Sequence, residues 1–222
     1  MVRTSSSGKN APHNAGQSSD GFDLDEYLND RGTARARIVD AAARLFCDRG
    51  FQVVTMKDIS KAVGLSKAGL YHYCPSKDLI LADIVTLCGK VLLRQLEVAQ
   101  EEEGTPVNRL KKFVTTRMET IVEHQPLFTI IYQERPYLTS ESIGDISRSA
   151  EEYRAGVRKL IEEAQSSGEL DKKIDPHVLM FAIDGMTGWA YVWFRKDGTR
   201  TPTELGEAFW KILSSGVLAD AS

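Results

Sequence analysis

Apolar positions recur every three to four residues along the chain, and no stretch alternates as a strand would. The first run places Ile38, Ala41, Ala42, Leu45 and Phe46 on one face, with Thr33 positioned to cap it and Gly50 to end it. A second run begins at Thr55, with Asp58 near its positive end, carries Ile59, Ala62 and Val63 inward, and stops at Gly64. After Leu65, a spacer expected to be buried, a short third run, SKAGLYHY, is capped by Ser66. Helix, glycine-centred turn, short helix is the helix-turn-helix in its sequence form.

Ser76, following Pro75, opens a long fourth helix marked by Leu79, Ile80, Ile84, Leu87, Val91 and Leu92 and running to about Glu102. The next helix spans 106–125, with Leu110, Phe113, Val114, Arg117, Met118 and Ile121 on one face. Pro126 restarts the chain for a short segment that Pro136 ends, and 140–165 reads as a further helix with an amphipathic second half. The pattern predicts two last helices, 176–194 and 202 to about 217. The first is apolar on nearly all sides, and such a helix must be buried all round. The second shows a seam through Leu205, Phe209 and Ile212. These two helices therefore predict a homodimer, with Trp193, Leu205, Phe209 and Ile212 in its interface. The fold class is all-α: an N-terminal three-helix helix-turn-helix domain, followed by a C-terminal helical domain for ligand binding and dimerisation.

Charge sharpens this division. The chain of 222 residues has a net charge of −3. Residues 31–80 nevertheless hold nine Lys or Arg against four acids, a net of +5, leaving −3 on residues 1–30 and −5 beyond residue 80. A basic segment on an acidic body is the electrostatic footprint of a nucleic-acid reader with a separate regulatory part. Residues 1–30, poor in aliphatics and rich in Ser, Gly and Asp, are expected to form a disordered tail. The head is then 31–78 and the body 79–222. The three cysteines, Cys47, Cys74 and Cys88, lack CxxC spacing, and no two histidines have ligand spacing, so neither a disulfide framework nor a metal site is expected. The N-terminal residues lack the apolar run of a signal peptide, and the apolar window 178–194 contains Asp184 and is short for a span; the expectation is a cytoplasmic protein with no membrane partner.

The short third helix suits a DNA major groove, about 12 Å wide, because small residues at its start allow close approach. Ser66, Lys67 and Ala68 offer a hydroxyl, a cation and a methyl there, and Gly69 lets the backbone approach the wall. Tyr71 and His72 have the reach for phosphates or a thymine methyl, while Tyr73 is expected in the core. Thr55 and Lys77, each at a helix start, are candidate phosphate contacts, as is Arg35 in the basic approach to the first helix. Phosphate contacts would set position, and Lys67, Ala68 and Tyr71 would read bases.

These residues carry a resemblance. Residues 33–85 resemble the DNA-binding domain of the TetR (tetracycline repressor-like) family. Its pattern of F-x-x-x-G, then T-x-x-x-I-x-x-x-x-G-[VL]-S, then L-Y-x-[HY]-[FY]-x-x-K-x-x-L stands here as Phe46 to Gly50, Thr55, Ile59, Gly64, Leu65, Ser66, Leu70, Tyr71, Tyr73, Lys77 and Ile80. Ser60 stands where the family usually has Ala, and Tyr73 where it has Phe. The resemblance implies a homodimer on a double-stranded DNA operator, with the long fourth helix linking each DNA head to a helical ligand-binding body. The run from Trp189 to Gly198 and the start Thr201 to Leu205 look like a branch containing repressors of fatty-acid and steroid catabolism, which implies a small-molecule effector of the acyl-CoA thioester type and no cofactor.

In the body, Arg117, Met118, Phe128, Tyr132, Arg135, Tyr153 and Trp189 are candidates for a ligand pocket, although for the Met and any single aromatic a place in the bundle core is the better reading. Arg117 differs because it falls on an apolar face: a buried Arg must meet an internal acid, Glu134 or Asp184, or an anionic ligand. The chain is expected to be a ligand-responsive regulator, and the resemblance implies a repressor. Two alternatives stay open: a regulator of efflux responding to hydrophobic drugs, and an effector-independent DNA-binding protein. An enzyme is not expected, since no Gly-rich phosphate loop, GxSxG element or paired His and Cys is present.

Overall fold

The computed structural model describes residues 33–134, 137–138 and 140–215, and every regular element among them is helical. The helices are α1 (Ala34–Arg49), α2 (Met56–Val63), α3 (Lys67–Tyr73), α4 (Lys77–Gln100), α5 (Pro106–Glu123), α6 (Gln125–Gln133), α7 (Ser140–Ser166), α8 (Pro176–Gly188), α9 (Ala190–Trp193) and α10 (Pro202–Ser215). The expected tail, Arg31 and Arg135 lie outside the described residues.

Local chemistry sets the helix starts. The hydroxyls of Thr33, Thr55, Ser66 and Ser76 each accept an N–H from the following turn, satisfying donors that have no partner within the helix. At Thr55 the bond is reciprocal: Asp58 accepts the Thr55 N–H at 2.9 Å, a capping box. Gly64, at φ 71°, takes the left-handed conformation that ends α2 and turns the chain toward α3. Leu65 N–H reaches back to Ser60 O at 3.0 Å, and Arg37 on α1 donates to Val63 O at 2.9 Å, so the last carbonyls of α2 are covered. The Leu65 side chain, expected to be buried, is half-buried against the core.

The head is held by Ile38, Val39, Phe46, Ile59 and Leu70, all within 1% of complete burial. Each contributes on the order of 1.5–3 kcal/mol. Its core does not end at residue 78: the same cluster continues through Ile80, Leu81 and Ile84 of α4, Leu127, Phe128 and Ile130 of α6, and Ala190 and Tyr191 of α9. Arg35 on α1 pairs with both oxygens of Asp83 on α4, at 3.2 and 3.0 Å, and ties the two parts again. A second cluster fills the far end of the body between α4, α5, α7 and α8, including Leu110, Phe113, Val157 and Ile161. Helix α10 lies along α5 so closely that a Cβ on Gly206 would stand 2.7 Å from Thr115 O.

The C-terminal region departs from expectation in two ways. The predicted helix 176–194 is broken at Trp189 into α8 and α9. It is also not buried all round within one chain: Val178, Phe181, Trp189, Val192 and Trp193 are exposed, Phe181 by 64%. Of the α10 seam, Leu205 and Phe209 are half-buried against the chain's own core, while Ile212 is exposed. Among the described residues no helix is long and apolar enough to cross a membrane.

The three thiols differ in reach. Burial pushes Cys74 up to about 11 and Cys88 up to about 12, whereas Cys47 is part-exposed. The thiolate is the reactive form. One thiol per chain, Cys47, is therefore expected to react with a disulfide reagent in the native protein, and all three after denaturation; a colorimetric thiol titration checks this.

Candidate DNA interface and ligand cavity

Helix α3 stands at the surface, anchored by Leu70, which is fully buried. Its outward side presents Lys67, Ala68, Tyr71 and His72, all exposed, with Lys67 Nζ 5.8 Å from the Tyr71 ring centre. A shallow groove between α3 and the starts of α2 and α4 is lined by Gln52, Thr55, Lys57, Lys67, Tyr71 and Lys77 among others. Lys57 and Gln52 were not singled out from the sequence; they become candidates only once α2 and α3 are brought side by side. Gly69 has a local reason beside the expected one, since a Cβ there would stand 3.2 Å from the Ser66 hydroxyl and crowd the cap. The Ser66 hydroxyl itself accepts Gly69 N–H at 3.0 Å.

Tyr73, expected in the core, is instead 43% exposed and sits edge-on to His72. One turn on from Leu70 the buried place is taken by Cys74, 2% exposed, and Tyr73 is left at the edge of the core. Lys77 also differs from expectation. Its ammonium donates to Phe51 O at 2.8 Å, Gln52 O at 3.2 Å and Val54 O at 3.0 Å, and lies 4.5 Å from the Phe51 ring centre. An ammonium has three donors, and all three are engaged. The lysine holds the loop before α2 in place while its charge stays in the wall of the same groove as Lys67 and Tyr71. Arg35 is similarly engaged, with Asp83.

That loop is gripped from the body as well. Glu134, buried at the end of α6, accepts the Phe51 N–H at 3.1 Å, and Tyr137 packs at 5.7 Å from the Phe51 ring. Phe51 is therefore the joint between α4, α6 and the reading head. The sequence offered Glu134 only as a partner for Arg117.

The body contains a cavity of about 230 Å³ between α4, α5, α6, α7 and α8, lined by Val85, Gly89, Leu92, Arg117, Ile131, Tyr132, Ser149, Tyr153, Phe181 and Asp184 among others. Arg117, 3% exposed, has a partner at each nitrogen: Nε donates to Thr187 at 2.9 Å, Nη1 donates to the Tyr153 hydroxyl, and Nη2 forms an ion pair with Asp184 at 3.0 Å. Asp184 is the internal acid expected from the sequence; Thr187 was missed. Burial alone would lower the Arg117 pKa, but Tyr153 and Asp184 outweigh it and hold the guanidinium charged. Burial pushes the Tyr153 and Tyr132 phenols above their ordinary value, so both remain hydroxyls.

The structure brings Arg117, Tyr132 and Tyr153 to this cavity. Met118 and Phe128 are core residues, 0% and 2% exposed, and do not line it. Trp189 does not line it either; it lies on the outer surface, edge-on to Tyr191, which stacks on Tyr132 at 4.9 Å.

Comparison with known proteins identifies two family models along the chain. Residues 38–84 fit the family model of bacterial regulatory proteins of the tetR family, and residues 103–217 that of the tetracyclin repressor-like C-terminal domain. The HTH-type transcriptional repressor KstR2 of Mycobacterium tuberculosis is 24% identical over 200 residues, covering 87% of this chain and 98% of that protein. Its Rhodococcus jostii counterpart is 27% identical over 190 residues, covering 82% and 90%. Among solved structures, the regulator PfmR from Thermus thermophilus superposes with a TM-score of 0.77 at 28% identity, covering 82% of this chain and 100% of that one. AibR, solved with isovaleryl coenzyme A and operator DNA, gives 0.72 at 28% identity, covering 80% and 96%.

The two lysines of the head should separate by experiment. Lys67→Ala is expected to weaken duplex binding without changing the urea midpoint. Lys77→Met removes three charge-assisted bonds and is expected to destabilise the fold by about 2–4 kcal/mol; circular dichroism during urea unfolding distinguishes them, and equal stability of the two variants would contradict the assignment.

Proposed function

The chain belongs to the TetR family of DNA-binding transcriptional regulators, which are not enzymes, and from that premise we propose that it is a repressor, binding a near-palindromic operator as a homodimer and released by a small hydrophobic effector of the acyl-CoA type. The observation that carries this reading is the placement of the cavity. Its wall includes α4 and α6, the two helices that hold Phe51 in the head. Tyr132, in the cavity wall, is two residues from Glu134, whose carboxylate holds the Phe51 N–H. A ligand that displaces α6 or α4 therefore acts directly on the loop in front of α2. The coupling can be no larger than the difference in ligand affinity between the two head positions.

The size of the cavity limits what enters. About 230 Å³ has room for roughly eight water-sized groups at 30 Å³ each. That fits a short acyl chain or one ring, not a whole coenzyme A, so the nucleotide of an acyl-CoA would remain outside. The complex of AibR with isovaleryl coenzyme A supports an effector of this kind.

The homodimer reading is supported by the exposed strip of Val178, Phe181, Trp189, Val192 and Trp193. Large apolar side chains left in water in such number favour a protein partner. Of the four residues expected at the interface, Trp193 and Ile212 are available for it, while Leu205 and Phe209 serve mainly the chain's own core. In such a dimer the two α3 helices would enter successive major grooves, about 34–36 Å apart.

Selection of bound duplexes from a random pool, followed by gel shift with an acyl-CoA panel, tests the whole reading; no sequence preference, or no release by any member, would refute it. Trp193→Glu is expected to give a folded monomer by light scattering with greatly weakened operator binding. Glu134→Ala is expected to keep operator binding while reducing the ligand-induced fall in affinity by about tenfold, equivalent to ~1.4 kcal/mol of coupling; titrations with and without ligand measure it.

A further inference from the structure

An arginine in a ligand cavity invites an anionic ligand, but this one is already neutralised. Each nitrogen of Arg117 has a protein partner: Thr187, Tyr153 and Asp184. The carboxylate of Asp184 is itself part of the cavity wall and is 31% exposed. The other cation of the lining, Arg154, is exposed and pairs with Glu151 at 2.8 Å. The rest of the wall is mostly hydrocarbon and hydroxyl: Val85, Leu92, Ile131, Tyr132 and Ser149.

We infer that the cavity accepts an uncharged acyl derivative, with its carbonyl in a thioester or amide, and rejects the corresponding free carboxylate. A carboxylate entering here gives up its hydration and meets Asp184, a like charge, beside an Arg117 whose positive charge that same aspartate already balances. Burying an ionised group costs several kcal/mol unless it gains a partner. A neutral carbonyl carries no such penalty, and the hydroxyls of Tyr132 and Ser149 are donors in the same wall. Asp184 thus acts as a filter on the chemical form of the ligand. In a repressor of this kind the filter separates activated acyl groups from the acids to which they hydrolyse. The inference rests on the cavity being the effector site, as proposed above.

The experiment compares matched pairs, straight-chain carboxylates of four to eight carbons against their primary amides, by calorimetry and thermal shift on the full-length protein. The wild type is expected to bind the best amide at least about tenfold more tightly than its acid, a difference of ~1.4 kcal/mol. Asp184→Asn keeps the shape of the side chain and frees Arg117. In that variant the order is expected to invert, with carboxylates raising the melting temperature more than amides. The double variant Arg117→Met with Asp184→Asn, which removes both charges, guards against misfolding of the single one; it is expected to bind amides and show no gain for acids. Wild-type binding of acids as tight as that of amides would overturn the filter while leaving the effector site intact, and so would Asp184→Asn without a gain for acids. Binding of neither series to any of the three proteins would overturn both the filter and the cavity as effector site.

Discussion

A guanidinium placed inside a helical bundle must be neutralised and hydrogen-bonded, and that requirement organises the body of this protein. Arg117, on α5, reaches Tyr153 on α7 and both Asp184 and Thr187 on α8. Three helices far apart in sequence are thereby fixed around one point. Replacing such a group by hydrocarbon can be neutral for stability, whereas removing only one partner is costly. The arrangement therefore says more about specificity of the cavity than about strength of the fold. The cavity lies where these polar groups converge, between hydrocarbon clusters built around Phe113 on one side and Phe128 on the other.

The second organising site is the loop at Phe51. Lys77 at the first residue of α4 and Glu134 just beyond α6 hold it through backbone groups, not through its side chain alone. Main-chain hydrogen bonds make the joint insensitive to which residues occupy 52 and 53, and sensitive to where α4 and α6 stand. The two parts of the chain also share one hydrocarbon cluster. Head and body are thus divided by charge and task, but packed as one unit.

What the sequence revealed follows the range of the forces involved. Thr33, Thr55, Ser66 and Ser76 were legible as caps because a cap acts across three residues, and Gly50 and Gly64 as stops for the same reason. The paired charge near Arg117 was legible because an Arg on an apolar face demands an acid, and Asp184 was one of two named. The choice between Asp184 and Glu134 was not legible, since both lie later in the chain, one within α8 and one just past α6, and only packing decides which one faces α5. Lys77 and Glu134 escaped because their partners are backbone groups 26 and 83 residues away, which leave no periodic trace. Tyr73 was misplaced because a seven-residue helix has too few turns for its pattern to fix a buried face. Met118 and Phe128 turned out to be core, as hydrophobic residues on bundle helices usually are.

The contact between Gly206 and Thr115 has a consequence for the outer surface. There the two backbones of α5 and α10 touch with no side chain between them. The height of α10 above α5 at this crossing is consequently set by main-chain dimensions. Exchanges among the surrounding side chains would recolour the exterior ledge while the spacing at that one crossing stays as it is. Should copies of the chain meet over that ledge, the separation it sets would be inherited from backbone and not from the residues that touch.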